Sequence, residues 1–183
     1  MVEPHNAHID RADSGDVPAL ARILEQAYQH IHGDHLDLSR LQHTPRETVI
    51  QSTLASRVHA MLVAKCEGEV IGFASFGPQP VAGLGYARRV AELGLLAVRE
   101  DCRGNGVGQA LFESVLARLR EQPSVEKLIL WVESDNSSAR AFYGKMGMTP
   151  TQEREQPGNR IRTAGAPPCK ETRYELSLGG DNS

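Results

Sequence analysis

The sequence predicts a mixed α/β fold of the α+β kind, and three observations carry that prediction. Residues 59–65 and 70–76 are two apolar, β-favouring runs joined near Glu67-Gly68, the pattern of an antiparallel hairpin. Residues 91–98 form a nearly continuous apolar run, followed by a glycine-rich turn, an amphipathic helix and a second apolar run at 127–132, which reads as a strand-helix-strand crossover. The 183 residues are 40% hydrophobic, 23% charged and 5% aromatic, and at roughly 150 residues per domain they suit one globular core with a surplus in loops or tails. A hairpin and a crossover sharing one core call for a mixed sheet.

In chain order, residues 1–8 read as a flexible tail and residues 9–12 as a short strand that stops at the turn formers Asp13-Ser14-Gly15. A helix follows from near Asp16. Val17, Leu20, Ala21, Leu24, Ala27, Tyr28 and Ile31 fall on one helical face, and Pro18 is tolerated only in a first turn. Residues 30–43 hold four of the seven histidines with little periodicity and read as a loop or a short broken helix. Thr44 can then cap a second helix, with Pro45 suited to its first position and Glu47 able to reach back to the cap amide.

The hairpin comes next, followed by an irregular connection over 77–89 marked by Gly77, Pro78, Pro80, Gly83 and Gly85. Residues 91–98 are expected as a strand covered on both faces. Val107, Leu111, Val115, Leu116 and Leu119 stripe a helix that ends before Pro123. The strand at 127–132 leads to a helix begun at 135–138, running through Tyr143 and Lys145 and closed by Gly147. Strands at 148–153 and 172–178 flank an irregular arm that carries Pro157, Gly158, Gly165, Pro167 and Pro168, and 179–183 read as a second tail. The order is β-α-α-β-β-β-α-β-α-β-β, without internal repeat or linker, so residues 9–178 read as one domain.

Twenty Lys and Arg against 23 Asp and Glu leave a net charge of −3, which provides no broad surface for nucleic acid or anionic membrane. No apolar run approaches the roughly 20 residues of a membrane span, and the first residues are polar. A cytoplasmic protein with no nucleic-acid or membrane partner is expected. Cys66, Cys102 and Cys169 are too few and too scattered for a disulfide framework or a paired metal site. His30, His32 and His35 read as solvated loop residues because no partnered carboxylate set accompanies them, so no metal is expected.

Chemistry concentrates in the turn Arg103-Gly104-Asn105-Gly106-Val107-Gly108, between a buried strand and an amphipathic helix. Backbone amides and the positive end of the helix dipole suit this turn to an anion, and its glycines let a diphosphate approach the chain. A nucleoside triphosphatase loop would continue with Lys and then Ser or Thr, but Gln109 and Ala110 follow. A dinucleotide fingerprint would need a further glycine three residues after the second, where this chain has Gln109 or, counted from Gly108, Leu111.

The pattern that fits is Arg/Gln-x-x-Gly-x-Gly/Ala. Residues 92–111, with that turn at their centre, and residues 136–148, with Asn136, Phe142, Tyr143 and Gly147, resemble the two motifs of the GCN5-related N-acetyltransferases, in the right order and on matching elements. The resemblance implies a mostly antiparallel sheet of six to seven strands with flanking helices and a splayed parallel strand pair. It also implies an acetyl-CoA-dependent transfer of acetyl to a primary amine of a small molecule, and admits a homodimer.

By the same resemblance, backbone groups of Leu96, Ala97 and Val98 would hold the pantetheine arm. Amides of Arg103, Gly104, Asn105, Gly106, Val107, Gly108 and Gln109 would take the pyrophosphate, and Asn136 would touch the cofactor arm. Tyr143 matches the tyrosine that gives a proton to the departing sulfur, a sensible acid since a phenol's pKa of about 10 lies near that of a thiol. Glu92 stands alone in an apolar strand, where burial would raise its pKa toward that of a useful base, and it matches a catalytic glutamate of some relatives. Pairing with Arg88 or Arg89 is its structural alternative.

Peptide N-terminal acetyltransferases keep their glutamate on the following strand, where this chain has Trp131, which argues against a peptide acceptor. Tyr28, His30 or His32 would touch the acceptor, selected by the 30–43 and 154–171 segments. Cys102 adjoins the helix start but reads as a packing residue. The rival to an enzyme is a protein that keeps an acyl-CoA as a bound signal without turnover.

Overall fold

The computed structural model describes residues 7–32, 46–81, 85–156 and 169–179. Its elements are β1 (His8–Arg11), α1 (Val17–His32), α2 (Arg46–Ala55), β2 (Ala60–Cys66), β3 (Glu69–Val81), β4 (Gly85–Val98), α3 (Val107–Arg120), β5 (Lys127–Glu133), α4 (Ser137–Lys145), β6 (Thr149–Gln156) and β7 (Cys169–Ser177). This is the element order expected from the sequence. The strands form one seven-stranded sheet, β1-β2-β3-β4-β5-β7-β6. Every neighbouring pair is antiparallel except β4 and β5.

Helix α1 starts from a reciprocal cap: Gly15 N donates to Asp13 Oδ1 at 2.7 Å while Asp13 N donates to Asp16 Oδ2 at 3.0 Å. Asp16, nearly buried, also takes Lys65 Nζ of β2 at 2.7 Å, which ties the helix start to the sheet. The apolar stripe of α1, with Leu20, Ile23 and Leu24, joins Ile50 of α2 against Met61, Val63, Phe73 and Ala97. On the opposite face α3 sets Leu111, Phe112, Val115 and Leu116 against Leu62, Ile71 and Leu128. Gly72 of β3 makes that approach possible, since a Cβ there would stand 3.0 Å from Ala97 O and 3.2 Å from Leu111.

Several boundaries differ from expectation. β1 begins at His8, and α1 runs on to His32, into the stretch expected to be irregular. The connection expected over 77–89 is instead the far end of a long hairpin, because β3 reaches Val81 and β4 begins at Gly85. β2 stops pairing with β3 at Phe76, so Pro78 and Pro80 sit where their missing N–H groups cost no ladder bond to β2. The register slips between them. Likewise β6 extends to Gln156 and β7 starts at Cys169, taking residues at both ends of the expected arm into the sheet. The cap at Thr44 and Pro45 and the histidine-rich loop beyond His32 lie outside the described residues.

The parallel strands β4 and β5 pair only at Val90 with Lys127, Ala91 with Leu128 and Glu92 with Ile129. Beyond Glu92, β4 stays on β3 through Val98 while β5 pairs with β7 alone through Glu133, so the sheet opens between them.

Candidate active site

The glycine turn grows directly from the open end of β4. Arg99 N donates to Ile71 O at 2.8 Å, and its guanidinium holds Glu69 Oε2 at 2.9 Å and Asp101 Oδ1 at 2.7 Å, fastening the strand end to β3 and to the short 3-10 turn Glu100–Cys102. Arg103 folds back so that its Nε donates to Val98 O at 3.1 Å. Gly104 and Gly106 take φ of 78° and 82°, which only glycine adopts without strain, and no protein atom lies within 4 Å of a Cβ built at either. Gly106 caps α3 without a side chain, so the first helical amides and the positive dipole end are left for an incoming anion.

These features line a cleft of about 380 Å³, within the range of small-molecule sites. Leu96, Ala97 and Val98 of β4 line it, as do Arg103, Gly104, Gly106, Gly108 and Gln109 of the glycine turn and the start of α3. Asn136 and Tyr143 of the α4 side stand opposite. The structure thus gathers ten of the expected contact residues around one space. Asn105 and Val107 are not among the lining residues. The Asn105 amide donates to Arg103 O at 3.1 Å within the turn, and Val107 is 2% exposed and packs in the core.

Phe142 of the second motif also lines the cleft, as do Ser138, Ala139 and Met146, to which the sequence reading assigns no contact. Their three- and four-residue spacing on α4 was the available signal. Asn136 is the N-cap of α4, its Oδ1 accepting from Ala139 N at 3.0 Å, which directs its NH2 group elsewhere. Tyr143 is buried among Phe142, Phe112 and Tyr174 at ring distances of 5.1, 6.1 and 6.4 Å. Burial pushes its phenol above the ordinary value, so it remains a donor across the neutral range. Burial likewise pushes the Cys102 thiol up, in line with packing.

Glu92 does not line this cleft. It stands half-buried at the last β4–β5 pair before the sheet opens, and burial raises its pKa while Arg154 and Arg173 pull it down. The alternative pairing with Arg89 is not made, since Arg89 pairs with Glu126. Around Glu92 the β5, β7 and β6 strands carry an unanticipated set. The Arg154 guanidinium lies 3.7 Å over the Trp131 ring and is held by Glu171 Oε2, while Arg173 pairs with Glu175. Tyr28, His30 and His32 belong to α1 by backbone, but their side chains, and His35 altogether, lie outside the described residues.

Comparison with known proteins agrees with this architecture. The model of the acetyltransferase (GNAT) family matches residues 18–148. Mycothiol acetyltransferase of Saccharomonospora viridis is 30% identical over 72% of this chain and 42% of its own length. L-methionine sulfoximine/L-methionine sulfone acetyltransferase of Pseudomonas aeruginosa is 30% identical over 60% of this chain and 62% of its own. The chain therefore spans less than two thirds of either relative. Among solved structures, yncA of Salmonella typhimurium, determined with its cofactor acetyl-CoA, superposes with a TM-score of 0.68 over 97% of both chains at 22% identity.

Proposed function

Because the chain belongs to the GNAT acetyltransferase family, we propose that it moves the acetyl group of acetyl-CoA onto a primary amine of a small molecule by direct attack on the thioester. The observation that carries this reading is the continuous cleft that runs from the glycine turn, along the open edge of β4, to Tyr143. The donor set fits such a cofactor: α3 amides and two left-handed glycines suit a pyrophosphate, and the β4 backbone freed from β5 suits an amide-bearing arm. Bound there, acetyl-CoA supplies the activated carbonyl.

In this reading Leu96, Ala97 and Val98 orient the thioester, and a backbone amide of β4 donates to its carbonyl oxygen. Arg103, Gly104, Asn105, Gly106, Val107, Gly108 and Gln109 hold the diphosphate through their amides, with Asn136 on the arm. Glu92, directly or through a water, takes a proton from the acceptor's ammonium, and the neutral amine so formed attacks the thioester carbonyl. As the C–N bond forms and the C–S bond breaks, the Tyr143 hydroxyl gives its proton to the departing sulfur, and the second proton shed by the nitrogen as it becomes an amide restores the phenol through solvent.

Release of free thiol from acetyl-CoA, followed across polyamines, amino acids, aminoglycosides and peptides, tests the reading. Turnover with at least one small amine is expected. Tight CoA binding without turnover of any amine would favour a protein that only senses the acyl-CoA.

A further inference from the structure

On one face of the sheet α1 and α2 lay an apolar layer over β2, β3 and β4. The half formed by β5, β7 and β6 carries charge on that same face. Parity follows from the register: Glu92 lies beside Ile129, Trp131 beside Arg173, and Glu171 beside both Glu133 and Arg154. Trp131 is two residues, about 7 Å, beyond Ile129 along β5, where β5 has already parted from β4. It therefore stands on the rim of the opening, on the side of the sheet that Glu92 faces.

Arg154 is held above it by two contacts. One guanidinium face stacks on the Trp131 ring at 3.7 Å, and one edge is clamped because Glu171 Oε2 accepts from Nε at 2.8 Å and from Nη2 at 2.7 Å. Its Nη1 edge has no partner among the described residues. A guanidinium fixed on one face and one edge is pre-organised to offer its remaining donors to a planar anion. Arg173 adds a second positive group: Glu175 and Gln152 occupy its Nη atoms, and its buried Nε has no acceptor among the described residues.

We infer that the acceptor is an amine that bears its own carboxylate, a free α-amino acid in type, with Arg154 taking the carboxylate while the amine lies beside Glu92. This rests on the acetyl-transfer reading above and narrows its substrate. A peptide N-terminus has no carboxylate next to its amine. An α-amino acid carries both groups, an ammonium for Glu92 and a carboxylate for Arg154. The Pseudomonas relative is named for acceptors that are amino-acid derivatives of this kind.

The protein's single tryptophan is Trp131, so its fluorescence reports on this spot directly. The CoA-loaded protein is titrated with non-aromatic L-amino acids, their carboxamides and spermidine, for the wild type, Arg154→Gln and Arg154→Lys. At least one amino acid is expected to saturate the signal about ten-fold or more tighter than its carboxamide, as a charged hydrogen-bonded pair requires. That ratio should fall close to one in Arg154→Gln and stay intermediate in Arg154→Lys, with unchanged melting curves.

Equal or tighter binding of the carboxamide or spermidine, a ratio that survives Arg154→Gln, or no saturation by any amino acid would overturn the inference. Thiol release is measured in parallel. Turnover without carboxylate preference removes the acceptor class and leaves acetyl transfer standing. Carboxylate-dependent binding without turnover of any amine keeps the amino-acid site and removes acetyl transfer.

Discussion

Two side chains divide the proposed proton chemistry, and their surroundings push both toward neutral forms. Tyr143 is enclosed by aromatic rings that keep its phenol protonated. Tyr143→Phe removes only the hydroxyl and should lower the acetyl-transfer rate about 100-fold or more, while calorimetry shows CoA affinity within a few-fold of wild type; an unaltered rate rules the role out. Glu92 is raised by burial, against the pull of Arg154 and Arg173. Its native form binds protons more tightly than its unfolded form, so its contribution to stability is full below the unfolded carboxylate pKa, about 4.3, and falls as pH rises through the native value. Glu92→Gln should therefore melt higher than wild type at pH 7, with the gap closing near pH 4, and the acid limb of kcat/KM should flatten. An acid limb that persists in the variant assigns the base elsewhere. Tyr143 and the glycine turn were legible in the sequence because each sits in a contiguous motif. Trp131, Arg154, Glu171 and Arg173 come from three strands and meet only through register, which no local pattern in the sequence encodes.

At the scale of elements, the sequence is most legible where a strong internal period or a continuous apolar run marks an element: α3, β5, the body of α1 and residues 91–98 of β4. The ends of β3, β6 and β7 and the start of β4 escape it, where Pro, Gly and charged residues occupy strand positions that lack a neighbour on one side or face water. There, pairing with a partner strand outweighed local composition. Helix α4 shows a single residue serving structure and site together. Asn136 caps it through Ala139 N and also lines the cleft. Asn136→Ala should cost about 1 kcal/mol, seen as a melting shift of about 2–4 °C for a chain of this size. Asn136→Asp keeps the cap acceptor but places a negative charge in a cleft suited to a diphosphate. It should hold the melting temperature and weaken CoA binding in calorimetry; equal loss of both properties would show that the cap alone matters.

Taken whole, the molecule is two half-sheets joined by three residue pairs, β1 to β4 on one side and β5, β7 and β6 on the other. The core cluster beneath α3 spans the junction, with Leu111 and Phe112 of α3 alongside Leu128, Leu130 and Tyr174 of the far half. Beyond Glu92, backbone pairing between the halves ceases, and the cleft opens there between walls drawn from each: Leu96, Ala97 and Val98 from β4, Asn136 and Tyr143 from the loop and helix that follow β5. A ligand filling that space contacts both halves and replaces backbone bonds the sheet itself does not make. It binds the native arrangement and finds no such surface on the unfolded chain, so linkage fixes the consequence. At a CoA concentration near 100 times its Kd, unfolding should be harder by about 2.7 kcal/mol, and the melting temperature should rise by about 5–10 °C. Hydrogen exchange should slow most along residues 93–98 and 136–143, the two walls, and change least in β1 and β2, which the ligand does not reach. A glycine turn that serves packing alone would give no CoA-dependent shift in melting and no protection confined to those segments.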